Sequence, residues 1–272
     1  MSRYIRWLVL SGVVAVLATK SLVADQQIRG FDIEVRGRVV HALCTEGIRR
    51  VILLHGELGS AESWRPVLER LSGNIGACAY DRSATGEGEY RPARGWFELM
   101  DELKTVHTAL GVEAGYTLVG HSIGGLYARL LAADRPLYVG GLVLVDPVHE
   151  DMPEAAVPGM PAAAWSLWLE QRESPNADGV REIDLARHAR RSRLADIPVT
   201  VITASRRRDG DGWDKRFLSE AARRVHASIL KGVRVARHVP ASGSGHEVPL
   251  EAPDLVAGEI SRMVRATTRP ER

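Results

Sequence analysis

The strongest constraint on the fold is an alternation along the chain. Short, nearly unbroken apolar runs occur at residues 51–54, 77–80, 116–119, 142–145 and 199–203. Longer helical patterns separate them, at 61–71, 96–110, 123–133, 213–229 and 253–264. A strand with one wet face alternates apolar and polar side chains, so a run without that alternation must bury both faces. Strands buried on both faces and separated by helices predict an α/β fold, with helices on each side of a mostly parallel sheet. A weaker run at 233–239 predicts the last strand. Residues 33–35 and 39–43, joined by Arg36-Gly37, predict an antiparallel start.

Composition removes several function classes. The 272 residues carry 36 basic and 34 acidic side chains, a formal charge of +2, without the basic excess of a nucleic-acid binder. With 45% hydrophobic and 26% charged residues, the chain is neither disordered nor a polytopic membrane protein. Two cysteines are too few for a disulfide scaffold or a four-cysteine zinc site, and no metal site is expected. Residues 1–24 stand apart. Arg3 and Arg6 precede an uncharged run over 7–18, closed by Lys20. This is the pattern of an export signal, with Val16-Leu17-Ala18 and Leu22-Val23-Ala24 as cleavage candidates; the run is shorter than the ~20 residues a bilayer span needs. The alternative is an uncleaved N-terminal membrane anchor. The expected protein is therefore exported (periplasmic or secreted) or membrane-attached through this segment, with residues 25–272 forming one domain.

Residues 150–195 break the alternation. They contain Pro153, Pro158, Pro161, Trp165, Trp168 and an arginine-rich helical stretch, but no strand run. That is too long for an ordinary connection and predicts an inserted helical lid. Met152, Met160, Trp165, Leu167 and Trp168 either roof a site or fasten the lid to the body. Arg187, Arg190, Arg191 and Arg193 read as a solvated face, with an anion site as the alternative.

The chemistry concentrates in Gly120-His121-Ser122-Ile123-Gly124-Gly125, between the 116–119 run and a helical pattern. G-x-S-x-G between a buried strand and a helix is a nucleophile elbow: a sharp turn lifts the serine hydroxyl above the sheet edge, at a helix N-terminus that favours negative charge. A nucleophilic serine needs a base, and the base an orienting acid. His246, in Ser244-Gly245-His246-Glu247 beyond the last strand run, is the candidate base. His121 adjoins the serine, so its side chain is expected to point elsewhere. His55-Gly56-Glu57-Leu58-Gly59 follows the 51–54 run, where a glycine-bearing turn can aim a backbone N–H at a developing oxyanion beside the amide of Ile123.

These residues together resemble the α/β-hydrolase superfamily. The likeness covers residues 28–264 and rests on His55-Gly56, Tyr80-Asp81-Arg82, the Gly120–Gly125 hexapeptide, Leu142-Val143-Leu144-Val145-Asp146-Pro147 and Gly245-His246. It implies an eight-stranded, mostly parallel sheet, a helical lid after the sixth strand, no cofactor, and hole donors at the amides of Glu57 and Ile123. The loop Asp81-Arg82-Ser83-Ala84-Thr85-Gly86 departs from the common Asp-Arg-x-Gly-x-Gly. The acid usually follows the seventh strand, but there the chain reads Ser205-Arg206-Arg207-Arg208-Asp209-Gly210-Asp211. Asp146, at the end of the sixth, is the preferred acid; Asp209 and then Asp211 are the alternatives. His55, Gly56, Trp165 and Trp168 are the candidate substrate contacts. Cys44 and Cys78 fall on neighbouring strands of that sheet, so a disulfide is expected in an oxidising compartment, with two buried free thiols as the alternative. The implied function is a serine hydrolase acting on a small-molecule carboxylic ester through an acyl-enzyme. Amidase or acyl-transfer chemistry on the same triad, and a receptor-like binder without turnover, are the competing readings.

Overall fold

The computed structural model describes residues 28–71, 75–82, 92–194, 196–206 and 216–268. The 1–24 segment, Ser83 to Gly86, Asp209 and Asp211 lie outside the described residues. Eight strands form one sheet in the order β1-β2-β4-β3-β5-β6-β7-β8. They are β1 (Ile28–Val35), β2 (Arg38–Thr45), β3 (Ile48–Leu54), β4 (Ile75–Tyr80), β5 (Tyr116–His121), β6 (Val139–Val145), β7 (Val199–Ala204) and β8 (Ala236–Ala241). β1 and β2 form the expected antiparallel hairpin, whose turn places both Arg36 and Gly37 at positive φ, 54° and 74°. That is the backbone that keeps a two-residue turn in step with strand twist. β2 also runs antiparallel to β4, and all other pairs are parallel.

The apolar runs bury both faces. Ile52, Leu54, Leu118, Leu142 and Leu144 enter one core with Leu99, Leu103, Leu126 and Leu131 from the helices on that face. Val51, Leu53, Val119, Val143 and Val145 enter the other, with Trp64, Leu68, Val256 and Ile260. The helices are α1 (Arg65–Leu68), α2 (Trp96–Ala109), α3 (Ile123–Asp134), α4 (Met152–Ala156), α5 (Ala162–Glu173), α6 (Glu182–Ala189), α7 (Arg216–Ile229), α8 (Val248–Glu251) and α9 (Pro253–Thr267). The helix expected over 61–71 is instead a 3₁₀ turn, Ala61–Trp64, running into the short α1. Pro66 has no N–H to offer residue 62, so an α-helical ladder cannot pass through it. β6 begins three residues before the apolar run, at Val139; Gly140 and Gly141 conceal the strand in the sequence. A Cβ at Gly140 would stand 2.3 Å from Gly115 O, a backbone contact that requires glycine, while one at Gly141 would meet the flexible end of Met263 at 2.5 Å. The stretch between β6 and β7 carries α4, a 3₁₀ turn, α5 and α6. Cys44 and Cys78 face each other in the β2–β4 register and are joined by a disulfide. No helix among the described residues is long and apolar enough to cross a membrane.

Candidate active site

Ser122 stands between β5 and α3 with φ 53° and ψ −123°. A positive φ on a side-chain-bearing residue costs of order 1–3 kcal/mol and persists only where its surroundings enforce it. Here its N–H is held by Val145 O (3.1 Å), and its C=O accepts from Gly125 N and Val148 N. The glycines of the motif are steric requirements. A Cβ at Gly120 would lie 2.3 Å from Gly124 O; one at Gly124 would lie 2.5 Å from His55 O and Leu54 O. Only bare backbone lets α3 start against β3 and β5.

His246 reaches this serine from the loop after β8. Its Nε2 lies 3.0 Å from Ser122 Oγ and its Nδ1 2.6 Å from Asp146 Oδ2. Asp146 ends β6 at φ 41°. Its side chain is 1% exposed, its N–H donates to Ile202 O (2.7 Å), and its Oδ1 accepts from Ala204 N (3.1 Å). The acid sits on a strand end fixed from both sides. His226 braces the same turn. Burial pushes its pKa down to about 4, so it is neutral. It donates from Nε2 to Pro147 O and accepts at Nδ1 from Thr203 Oγ1, each at 2.8 Å. Thr203 Oγ1 in turn accepts from His238 Nε2 at 2.8 Å. In the sequence His226 is merely a histidine in a helical pattern, with no signal marking it as a brace.

The loop after β3 closes on Ser122: a Cβ at Gly56 would be 3.3 Å from Ser122 Cβ. Gly56, Glu57, Ser122, His121 and His246 border one cavity of about 340 Å³. Glu57 and Ile123 border a second, of about 710 Å³, whose other walls include Leu167, Trp168 and Arg172 of α5. As the first residue of α3, Ile123 has no intrahelical acceptor for its amide.

A model described as the alpha/beta hydrolase fold matches residues 49–225. The chain belongs to the alpha/beta hydrolase family. Protein YqjL of Bacillus subtilis is 24% identical over 203 residues, covering 72% of this chain and 76% of that one. A relative from Rhizobium rhizogenes named "Putative carbamate hydrolase RutD" is 28% identical over 109 residues, and the match spans only 41% of its length. Among solved structures, carboxylesterase CesB of Bacillus subtilis superposes with a TM-score of 0.59 at 17% identity, covering 88% of this chain and 92% of that one. At that identity the likeness speaks to the fold alone.

Within this alpha/beta hydrolase, the expected contacts separate. Gly56 and Trp168 line the two cavities; His55 does not. His55 is fully buried, donating from Nδ1 to Gly56 O (2.6 Å) and accepting at Nε2 from Arg82 N (3.1 Å). Trp165 stands behind Trp168, the rings edge to face at 5.9 Å. His121 does not simply point away. Its Nε2 donates to the backbone O of His246 at 2.8 Å and so anchors the loop that carries His246. Among the described residues, His121, His246 and Glu247 bring ligand atoms within 4.8 Å of one another. Both ring nitrogens of His246 already serve the serine and the aspartate, so a metal there would compete with that arrangement.

Proposed function

We propose that this alpha/beta hydrolase is a serine carboxylic-ester hydrolase. The observation that carries the reading is the unbroken line from Asp146 through His246 to Ser122, with contacts of 2.6 and 3.0 Å. Asp146 holds the imidazole with its proton on Nδ1, leaving Nε2 to accept from Ser122. Ser122 Oγ attacks the ester carbon while its proton passes to Nε2. The oxyanion is met by the amides of Glu57 and Ile123. The tetrahedral species collapses, the alkoxide leaves with the proton from Nε2, and an acyl-serine remains. Water then attacks the acyl carbon as its proton passes to Nε2; the second tetrahedral species breaks its bond to Ser122, Oγ takes the proton back from Nε2, and the carboxylic acid leaves. A serine at the elbow supplies no carboxylate nucleophile of the kind that dehalogenation and epoxide opening use in this fold.

The stretch carrying α5 is the lid in this reading, and it argues for a compact acyl group. Only Leu167 and Trp168 of the expected apolar roof border the larger cavity, beside Glu57, Glu170, Arg172 and Glu182. Burial pushes the Glu182 carboxyl above its usual range even with Arg172 3.0 Å away. A long alkyl chain would have to desolvate these groups without pairing them.

The test is a panel of p-nitrophenyl esters of graded chain length, with an aryl carbamate alongside, on wild type and Ser122→Ala. Turnover of short esters, a pre-steady-state burst and loss of both in Ser122→Ala are expected. Faster turnover of the carbamate than of any ester would move the assignment to carbamate hydrolysis. Tight binding without turnover would make the protein a receptor.

A further inference from the structure

One of the two proposed oxyanion-hole donors belongs to the peptide unit Gly56–Glu57. Its N–H belongs to Glu57 and its C=O to Gly56. A trans peptide is planar, so whatever fixes the carbonyl also fixes the direction of the N–H. Three donors converge on that carbonyl. His55 Nδ1 donates at 2.6 Å, Arg82 Nη2 at 3.2 Å and Gly59 N at 3.3 Å. Hydrogen bonds to a carbonyl polarise its peptide and strengthen the N–H opposite.

Arg82 organises this arrangement from behind the loop. Its guanidinium also donates from Nη1 to His55 O (2.5 Å), and its own N–H fixes the His55 ring through Nε2. Burial and the neighbouring Arg82 cation hold the His55 pKa well below the usual histidine range. The ring stays neutral, with the Nδ1–H that the Gly56 carbonyl needs. Arg82 itself is 1% exposed and must be paired. Its partner is Asp178, 2% exposed, in the β6–β7 segment; both carboxylate oxygens lie 3.1 Å from Arg82 Nε. Tyr127 OH donates to the same carboxylate (3.2 Å), and the guanidinium lies over the Tyr127 ring at 5.2 Å. The next residue back along the segment also reaches this loop: Ala177 N donates to the Glu57 side chain at Oε1 (3.2 Å).

We propose that Arg82, locked by Asp178, is the positioning residue of the oxyanion hole, aiming and polarising the Gly56–Glu57 peptide. The turn around Asp178 is then a fixed strut of the catalytic machinery, distinct in role from the helix α5 beside it. This rests on the esterase reading. Arg82 touches no reacting atom, so its removal should slow the chemical step and leave ground-state binding alone.

Two variants of the full chain test this. Arg82→Lys keeps the charge for Asp178 but loses the planar fork that spans two carbonyls. Arg82→Met with Asp178→Asn removes both charges together and leaves no orphaned ion. For Arg82→Lys, kcat on p-nitrophenyl acetate should fall about tenfold or more while KM stays within about twofold. The affinity of phenylboronic acid, which forms a tetrahedral adduct on the serine, should weaken by the same factor as kcat. The double variant should lose more, toward the roughly 10²–10³ that deletion of a hole donor costs. A purely structural role would lower the melting temperature without moving kcat and boronate affinity together. Either variant, folded by circular dichroism and within about twofold of wild type in both measurements, overturns the proposal. A wild type that neither hydrolyses an activated ester nor binds the boronate overturns the esterase reading itself, and the proposal with it.

Discussion

The rim of the sheet and the helix α5 face each other across the larger cavity and are built in opposite ways. On the rim, Ser122 and Asp146 each end a strand with positive φ, and their backbones are pinned by neighbouring strands. Asp146 is 3% exposed, and the Gly120 and Gly124 positions admit no side chain. On α5 only Arg172 is buried, while Leu167 is 55% exposed and Trp165 and Trp168 are half-buried. The difference assigns labour. Nucleophilic catalysis tolerates little error in position, and the proposed nucleophile and acid sit where packing over-determines the backbone. In the proposed reading, choice of substrate, which tolerates variation, falls to the helix with few anchors.

The largest expected effect is on the rim. Asp146→Asn keeps the side-chain shape but favours the wrong imidazole tautomer, a change that cost about 10⁴-fold in a serine protease. A loss of at least about a hundredfold in kcat/KM is expected, with the fold retained by circular dichroism. A folded, fully active Asp146→Asn would break the comparison at its strongest point and return the search to Asp209 and Asp211.

Next comes acid stability, which two buried histidines set, one of them beside Asp146. His226 is held at about 4 and His107 at about 3, both by burial, against about 6.5 in an unfolded chain. Between those values the unfolded state binds protons that the native state refuses. Stability therefore falls as pH drops from about 6.5 toward 4, by up to about 3 kcal/mol for His226 alone. Urea midpoints at neutral pH and near pH 4.5 should converge more in His226→Gln than in wild type. Equal pH dependence in the two proteins would remove His226 from the account.

How much of this was legible in the sequence follows the same division. The strand runs and the GHSIGG hexapeptide declare themselves because burial on both faces and steric exclusion leave few residue choices. The Ser122–His246–Asp146 line could be read from position, since each residue follows a strand run. Residues that act through tertiary hydrogen bonds were not legible. His226 and Asp178 stand in unremarkable local contexts, and His121, although inside the hexapeptide, carries no local sign of its partner; only the packing of α7, β5 and the β6–β7 segment gives them partners. His55 was found but misplaced: a Gly-bearing turn marks a site without saying which side chain faces it. α5 was legible as an insertion, yet its contacts were not, because a helix with scattered apolar residues has no single face to predict.

The smallest effect should come from α5. Trp168 lines the larger cavity, is half-buried, and meets Trp165 edge to face. Trp168→Ala removes one wall of the cavity and an aromatic pair worth about 0.5–1.5 kcal/mol beyond its buried area. The chain around it does not depend on that pair, since the rim is held by strand contacts on the far side of the cavity. The melting temperature should therefore shift by only a few degrees, the scale of about 1 kcal/mol in a domain of this size. For the shortest ester, kcat should stay within about twofold of wild type, because the reacting atoms are untouched. KM should change by several-fold and unequally across the ester panel, tilting the preference toward longer acyl groups as the wall is withdrawn. If Trp168→Ala instead costs kcat on every ester alike, α5 positions the chemistry, and the division between a rigid rim and a permissive helix fails.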